Sequence, residues 1–68
     1  MEHTTLQIEG MTCGGCVASV TRVLLRLPGV ARATVTLADA QALVDHDPVT
    51  APVSTLRTAV EDAGFAVR

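Results

Sequence analysis

Twice along this chain the apolar residues change their spacing from every second position to every third or fourth, and each change falls at a break containing glycine or proline. Leu6 and Ile8 alternate with Thr5, Gln7 and Glu9 across residues 3–9, the pattern of a half-buried strand. Gly10 to Gly15 interrupts it. From Cys16 onward Val17, Val20, Leu24 and Leu27 recur at helical spacing with Ser19, Arg22 and Arg26 opposite them, and Pro28-Gly29 ends the run. Val30 to Leu37 alternates again, with Ala33, Val35 and Leu37 on one face. After Ala38-Asp39, residues from Gln41 to about His46 complete a hairpin. Asp47-Pro48 stops the second strand, and Thr50 is expected to cap a helix whose first turn tolerates Pro52. Val53, Leu56, Val60 and Ala63 form the buried stripe of that helix, Gly64 ends it, and Phe65-Ala66-Val67 is a short closing strand. The order β-α-β-β-α-β predicts an α+β, ferredoxin-like domain over residues 1–68, with both helices on one face of a four-stranded antiparallel sheet.

A chain of 68 residues supports one core, and with Phe65 as its only aromatic that core is built from Val, Leu, Ile and Ala. Such a core leaves little room for a substrate pocket, so the reading is a binding module and not an enzyme. The formal net charge is −2, from five Arg, no Lys and seven acidic residues, which is no nucleic-acid footprint. The charge is uneven: residues 1–34 sum to +1 and residues 35–68 to −3. The opening MEHTTLQIEG lacks the basic and apolar segments of a signal peptide, and Val17 to Leu27 is interrupted by Ser19, Thr21, Arg22 and Arg26. No membrane insertion is expected, and the cytoplasm is the default setting. A Cys-x-x-Cys pair stays reduced there.

That pair, Cys13 and Cys16, sits in Gly10-Met11-Thr12-Cys13-Gly14-Gly15-Cys16 between the first strand and the first helix. A disulfide across so short a loop would constrain little chain. The start of a helix favours thiolate over thiol, and thiolate is the form that binds metal or attacks disulfides. Two thiolates are a full set for Cu(I) but half a set for structural zinc, which is almost always four-coordinate. Ligand count thus favours copper, and an under-coordinated Cu(I) can take a third sulfur from a partner before leaving the first two. A thiol-disulfide oxidoreductase is the alternative from another class, although thioredoxin-like proteins are longer and carry an aromatic and a facing proline that are missing here. In the expected topology His3 and His46 fall at the opposite end of the sheet, which makes them strand-surface or edge residues and not ligands, with a partly buried strand-end position as the other reading for His46.

With its flanks, the Gly-Met-Thr-Cys-x-x-Cys segment resembles the heavy-metal-associated domain family. The likeness extends through Leu27-Pro28-Gly29-Val30 to Glu61-Asp62-Ala63-Gly64-Phe65. The resemblance implies that Cys13 and Cys16 ligate Cu(I), that Met11 points inward as an anchor, and that Thr12 matches the copper pattern where Asp would serve zinc or cadmium. It implies a copper-transporting P-type ATPase or another copper acceptor as partner, and leaves a metal-bridged homodimer open. Phe65 stands where the family has Tyr in bacterial chaperones and often Phe in ATPase domains, so a free chaperone and an ATPase metal-binding domain both fit, as does a mercury- or zinc-carrying relative. Phe65 itself reads either as core or as a shield for the ion. Arg22 and Arg26 read either as solvated surface or as a docking face for an acidic partner.

Overall fold

The computed structural model describes residues 1–12 and 14–68. These form β1 (Glu2–Glu9), α1 (Gly14–Leu25), β2 (Val30–Thr36), β3 (Gln41–His46), α2 (Val53–Asp62) and β4 (Ala66–Val67). The strands make one antiparallel sheet in the order β2-β3-β1-β4, as the ferredoxin-like expectation requires. In β1 the even-numbered Leu6 and Ile8 are buried while Gln7 and Glu9 are exposed, and on β3 Ala42 and Val44 continue the same apolar face. Val20 and Leu24 from α1 and Leu56 and Val60 from α2 complete a single cluster with them. Both helices therefore cover one side of the sheet. Each of these larger side chains contributes about 1.5–3 kcal/mol by leaving water.

Several boundaries and faces differ from expectation. Helix α1 starts earlier, at Gly14, and ends at Leu25, because the chain tightens at Leu27, whose N–H donates to the Leu24 carbonyl at 3.2 Å. Leu37 lies past the end of β2 and is 40% exposed, in the turn that Ala40 closes with a φ of 52°. Val53 and Ala63 are exposed as well. They are the first residue and the C-cap of α2, so only Leu56 and Val60 between them overlie the sheet. Thr50 does not cap α2. Pro52 occupies the N-cap without a side-chain bond, and the Thr50 hydroxyl instead donates to Asp47 Oδ2 at 3.3 Å while Asp47 Oδ1 accepts from the Val49 N–H at 3.0 Å. An aspartate turn thus takes up the hydroxyl before the helix begins. At the other end of α2 the Gly64 stop holds: with Gly64 at φ 99°, its N–H donates to the Glu61 carbonyl and the Phe65 N–H to the Val60 carbonyl. Phe65 is thereby tied to the helix end, and β4 starts at Ala66.

Candidate metal-binding loop

Strand β1 delivers the chain to the loop, where Gly10 turns it with a φ of 95°. A Cβ on Gly10 would lie 3.6 Å from Phe65 Cδ1, which places the Phe65 ring directly beside the start of the loop. Phe65 is half-buried and packed on the core, and so is Met11. Thr12 is exposed. Cys13, the first of the two proposed ligands, lies outside the described residues. Gly14 and Gly15 are the exposed first residues of α1, and Cys16 follows them half-buried in its first turn. That turn carries no acidic residue, so the positive end of the helix faces no competing carboxylate of its own helix and can stabilise negative charge on sulfur.

Three further hydrogen bonds fix the base of the loop. The Ile8 N–H donates to the Ala40 carbonyl at 2.8 Å, which brings the β2–β3 turn alongside. On the other side the Arg68 N–H donates to the Gln7 carbonyl at 2.8 Å, and its guanidinium Nε donates to Glu9 at 2.6 Å. No pattern in the sequence points to that pairing, since the residues are 59 apart and both are exposed.

The histidines lie at the far end, as the topology requires. Glu2 pairs with His46 and His3 with Asp45, whereas the loop follows Glu9, about 20 Å further along the strand. His46, however, is not a surface residue. It is fully buried, its Nδ1 2.6 Å from the Ala51 carbonyl and its Nε2 2.7 Å from Thr4 Oγ1. A carbonyl only accepts, so Nδ1 carries a proton and donates it there, while Nε2 shares a hydrogen bond with the Thr4 hydroxyl. The signal was present in the alternation: His46 follows Ala42 and Val44 on the buried face of β3. Arg22 and Arg26 are exposed, Arg22 in the last turn of α1 and Arg26 just beyond it.

Comparison with known proteins places this geometry. Residues 5–66 match the model of the heavy-metal-associated domain. The chain is 49% identical over 63 residues to copper-transporting ATPase 2 of Rhizobium meliloti, covering 93% of this chain and 8% of that protein. It is 37% identical over 67 residues to the copper chaperone CopZ of Staphylococcus aureus, covering 98% of both. Among solved structures, a CopZ metallochaperone superposes with a TM-score of 0.95 at 36% identity, over 98% of this chain and 100% of that one. The ATPase relatives are far longer, the chain spanning from 4% to 8% of their length. The match covers both the cysteine loop and the sheet that carries it, and the chain belongs to the heavy-metal-associated domain family.

Proposed function

We propose that this domain carries one Cu(I) ion on the sulfurs of Cys13 and Cys16 and transfers it to a partner by exchange of thiolate ligands, without catalysis. The observation that carries this reading is end-to-end similarity to a copper chaperone of the same length, with Cys16 placed in the first turn of α1. Two soft anionic ligands match Cu(I), whose low coordination number leaves a position for an incoming sulfur. The partner is a copper-transporting P-type ATPase or another copper acceptor bearing its own pair of thiols, and the setting is the cytoplasm. Met11, held on the core, sets the loop from below, and Phe65 covers its base.

The similarity to a short stretch of copper-transporting ATPases supports a second reading, in which the same domain serves within such a transporter. The sulfur chemistry is the same in both. Titration of the reduced protein with Cu(I) against a chelator of known strength should give one equivalent, with an X-ray absorption spectrum fitted by sulfur alone. Cys13→Ser or Cys16→Ser should abolish tight binding and leave the fold intact. Wild-type Cu(I) affinity in the Cys13→Ser protein would refute the site.

Encounter with the acceptor is assigned to Arg22, in the last turn of α1, and Arg26, just beyond that helix, both too far along the chain from the site to ligate. Charge on such a surface speeds a weak encounter, and salt screens it. Arg22→Glu with Arg26→Glu should slow transfer in stopped-flow measurements and flatten its salt dependence, while Cu(I) affinity stays the same. Equal rates and equal salt slopes for both proteins would make the two arginines ordinary solvated surface.

A further inference from the structure

Strand β2 ends the sheet on one side, in the order β2-β3-β1-β4, so its outer edge has no strand partner among the described residues. Edges of this kind are usually blunted by charge, proline or a bulge. In β2 the bulge falls between Val30 and Arg32, and Arg32 is the only charged residue of the strand. From Ala33 to Thr36 the run Ala-Thr-Val-Thr carries no charge, no proline and no glycine. That segment is a template for another strand.

The helix above this edge adds apolar surface to it. Val20 and Leu24 of α1 enter the core, and Leu27 beyond them lines a groove with Ser54, Thr55 and Ala59 of α2. Leu25 therefore falls on the opposite flank of α1, over β2, and is 49% exposed. At the other end of the edge Leu37 comes two residues after Val35, which packs against the core from β2, so the period of two puts Leu37 on the helix side as well. It is 40% exposed.

A second copy of the same chain fits this edge. Two β2 strands running antiparallel about a two-fold axis at Ala33 set Ala33 against Ala33 and Arg32 against Thr34 of the other copy, so no like charges meet. Reversal of direction also brings Leu25, which stands near the start of β2, level with Leu37 of the other copy, near the end of its β2. Each exposed leucine thus finds an apolar neighbour. The edge is about 20 Å long at about 3.3 Å per residue. Against a domain thickness of 19 Å that is on the order of 400 Å² per copy, the size of a weak, reversible association and not of a permanent dimer.

We propose that the β2 edge and the adjoining flank of α1 form a metal-independent self-association surface, on which two copies of this domain join β2 to β2 into one continuous sheet. The two α1 helices then run antiparallel, side by side. Their cysteine loops lie at opposite ends of the pair, so no single ion bridges them.

Sedimentation velocity on the reduced 68-residue chain, with a chelator present and the concentration raised into the millimolar range, should show a dimer in exchange with monomer. The double variant Cys13→Ser, Cys16→Ser should associate equally. Thr34→Lys places a like charge opposite Arg32 of the other copy and should weaken association roughly tenfold, whereas Thr34→Asp supplies the opposite charge and should strengthen it. Leu25→Asp with Leu37→Asp should abolish it, because carboxylates then meet where leucines did. All three positions are exposed, and circular dichroism checks that each variant is folded. A monomer at every concentration overturns the proposal, and so does a dimer that needs metal or that responds alike to either charge at Thr34.

Discussion

A Cβ placed on Gly29 would lie 2.9 Å from Thr50 Cβ and 3.2 Å from Ala51 Cβ, whereas one placed on Gly14 would meet nothing within 4 Å. These glycines sit at opposite ends of the sheet, and their surroundings differ in kind. Around Gly29 the chain is closed by short contacts: the Asp47 N–H donates to the Gly29 carbonyl, the Ala51 N–H to the Asp47 carbonyl, and His46 lies buried between Thr4 and Ala51. Around Gly14 the described loop residues Gly10, Thr12 and Gly15 are exposed, and only Met11 and Cys16 turn partly inward. Cohesion is concentrated at one end of the domain and ligand chemistry at the other. With most of its described residues exposed, this end leaves room for the sulfur geometry an ion or a partner demands.

The sharpest way to break this comparison is to damage the packed end and look for a response at the loop. His46→Ala removes two hydrogen bonds, leaves the Ala51 carbonyl without its donor and opens a cavity in a fully buried position. The expected loss is about 2–4 kcal/mol in urea unfolding. The Cu(I) affinity of the folded protein should not change. By contrast, Cys16→Ser at the half-buried loop position should alter stability by less than about 1 kcal/mol. A fall in Cu(I) affinity that parallels the loss of stability in His46→Ala would show that the two ends are coupled.

A smaller effect separates packing from backbone conformation. Gly29 and Gly64 have nearly the same φ, 91° and 99°, yet only Gly29 has close neighbours. Gly64→Ala should lose about 1–2 kcal/mol from the left-handed conformation alone. Gly29→Ala adds overlap with Thr50 and Ala51, a further 1–3 kcal/mol or so. Equal losses in the two variants would mean that the Thr50 segment moves aside, and that the end described as closed is soft.

Much of this division can be read in the sequence, for a physical reason. Leu6 and Ile8, Val20 and Leu24, and Leu56 and Val60 reveal strand and helix faces because one side of each element must leave water, and a period of two or 3.6 survives any detail of packing. Gly64 was legible because a positive φ selects for glycine. Thr50 was not, because a hydroxyl near a helix start can serve the helix or a preceding aspartate, and only the geometry of the Asp47 turn decides between them. His46 shows residue type hiding position: it continues the buried period of β3, but a histidine reads as surface until the partners of both ring nitrogens are known. At the loop, Met11 is half-buried against the core as the resemblance implied, while Thr12 is exposed and Cys16 half-buried in the first turn of α1. The ligand roles of Cys13 and Cys16 rest on the motif.

The smallest predicted effect tests whether the closed end depends on charge as well as shape. The Asp47 carboxylate has its pKa lowered below the ordinary value of 3.8, chiefly by the hydrogen bond from the Val49 N–H, which outweighs the opposing effect of desolvation, with a smaller lowering from the Thr50 hydroxyl. A lowered pKa means that the ionised form is favoured in the folded state, so its contribution to stability is complete above the ordinary carboxylate value. It disappears as pH falls through the lower, folded value. Asp47→Asn keeps an oxygen acceptor for the Val49 N–H and removes the charge. The variant should therefore be less stable than the wild type at neutral pH, and the gap should close as the solution is acidified through the pKa of Asp47. Parallel urea titrations from neutral to acid pH would measure it. A gap that is constant with pH would assign the role of Asp47 to the shape of its turn, and the closed end would then be held by packing and neutral hydrogen bonds without help from this carboxylate.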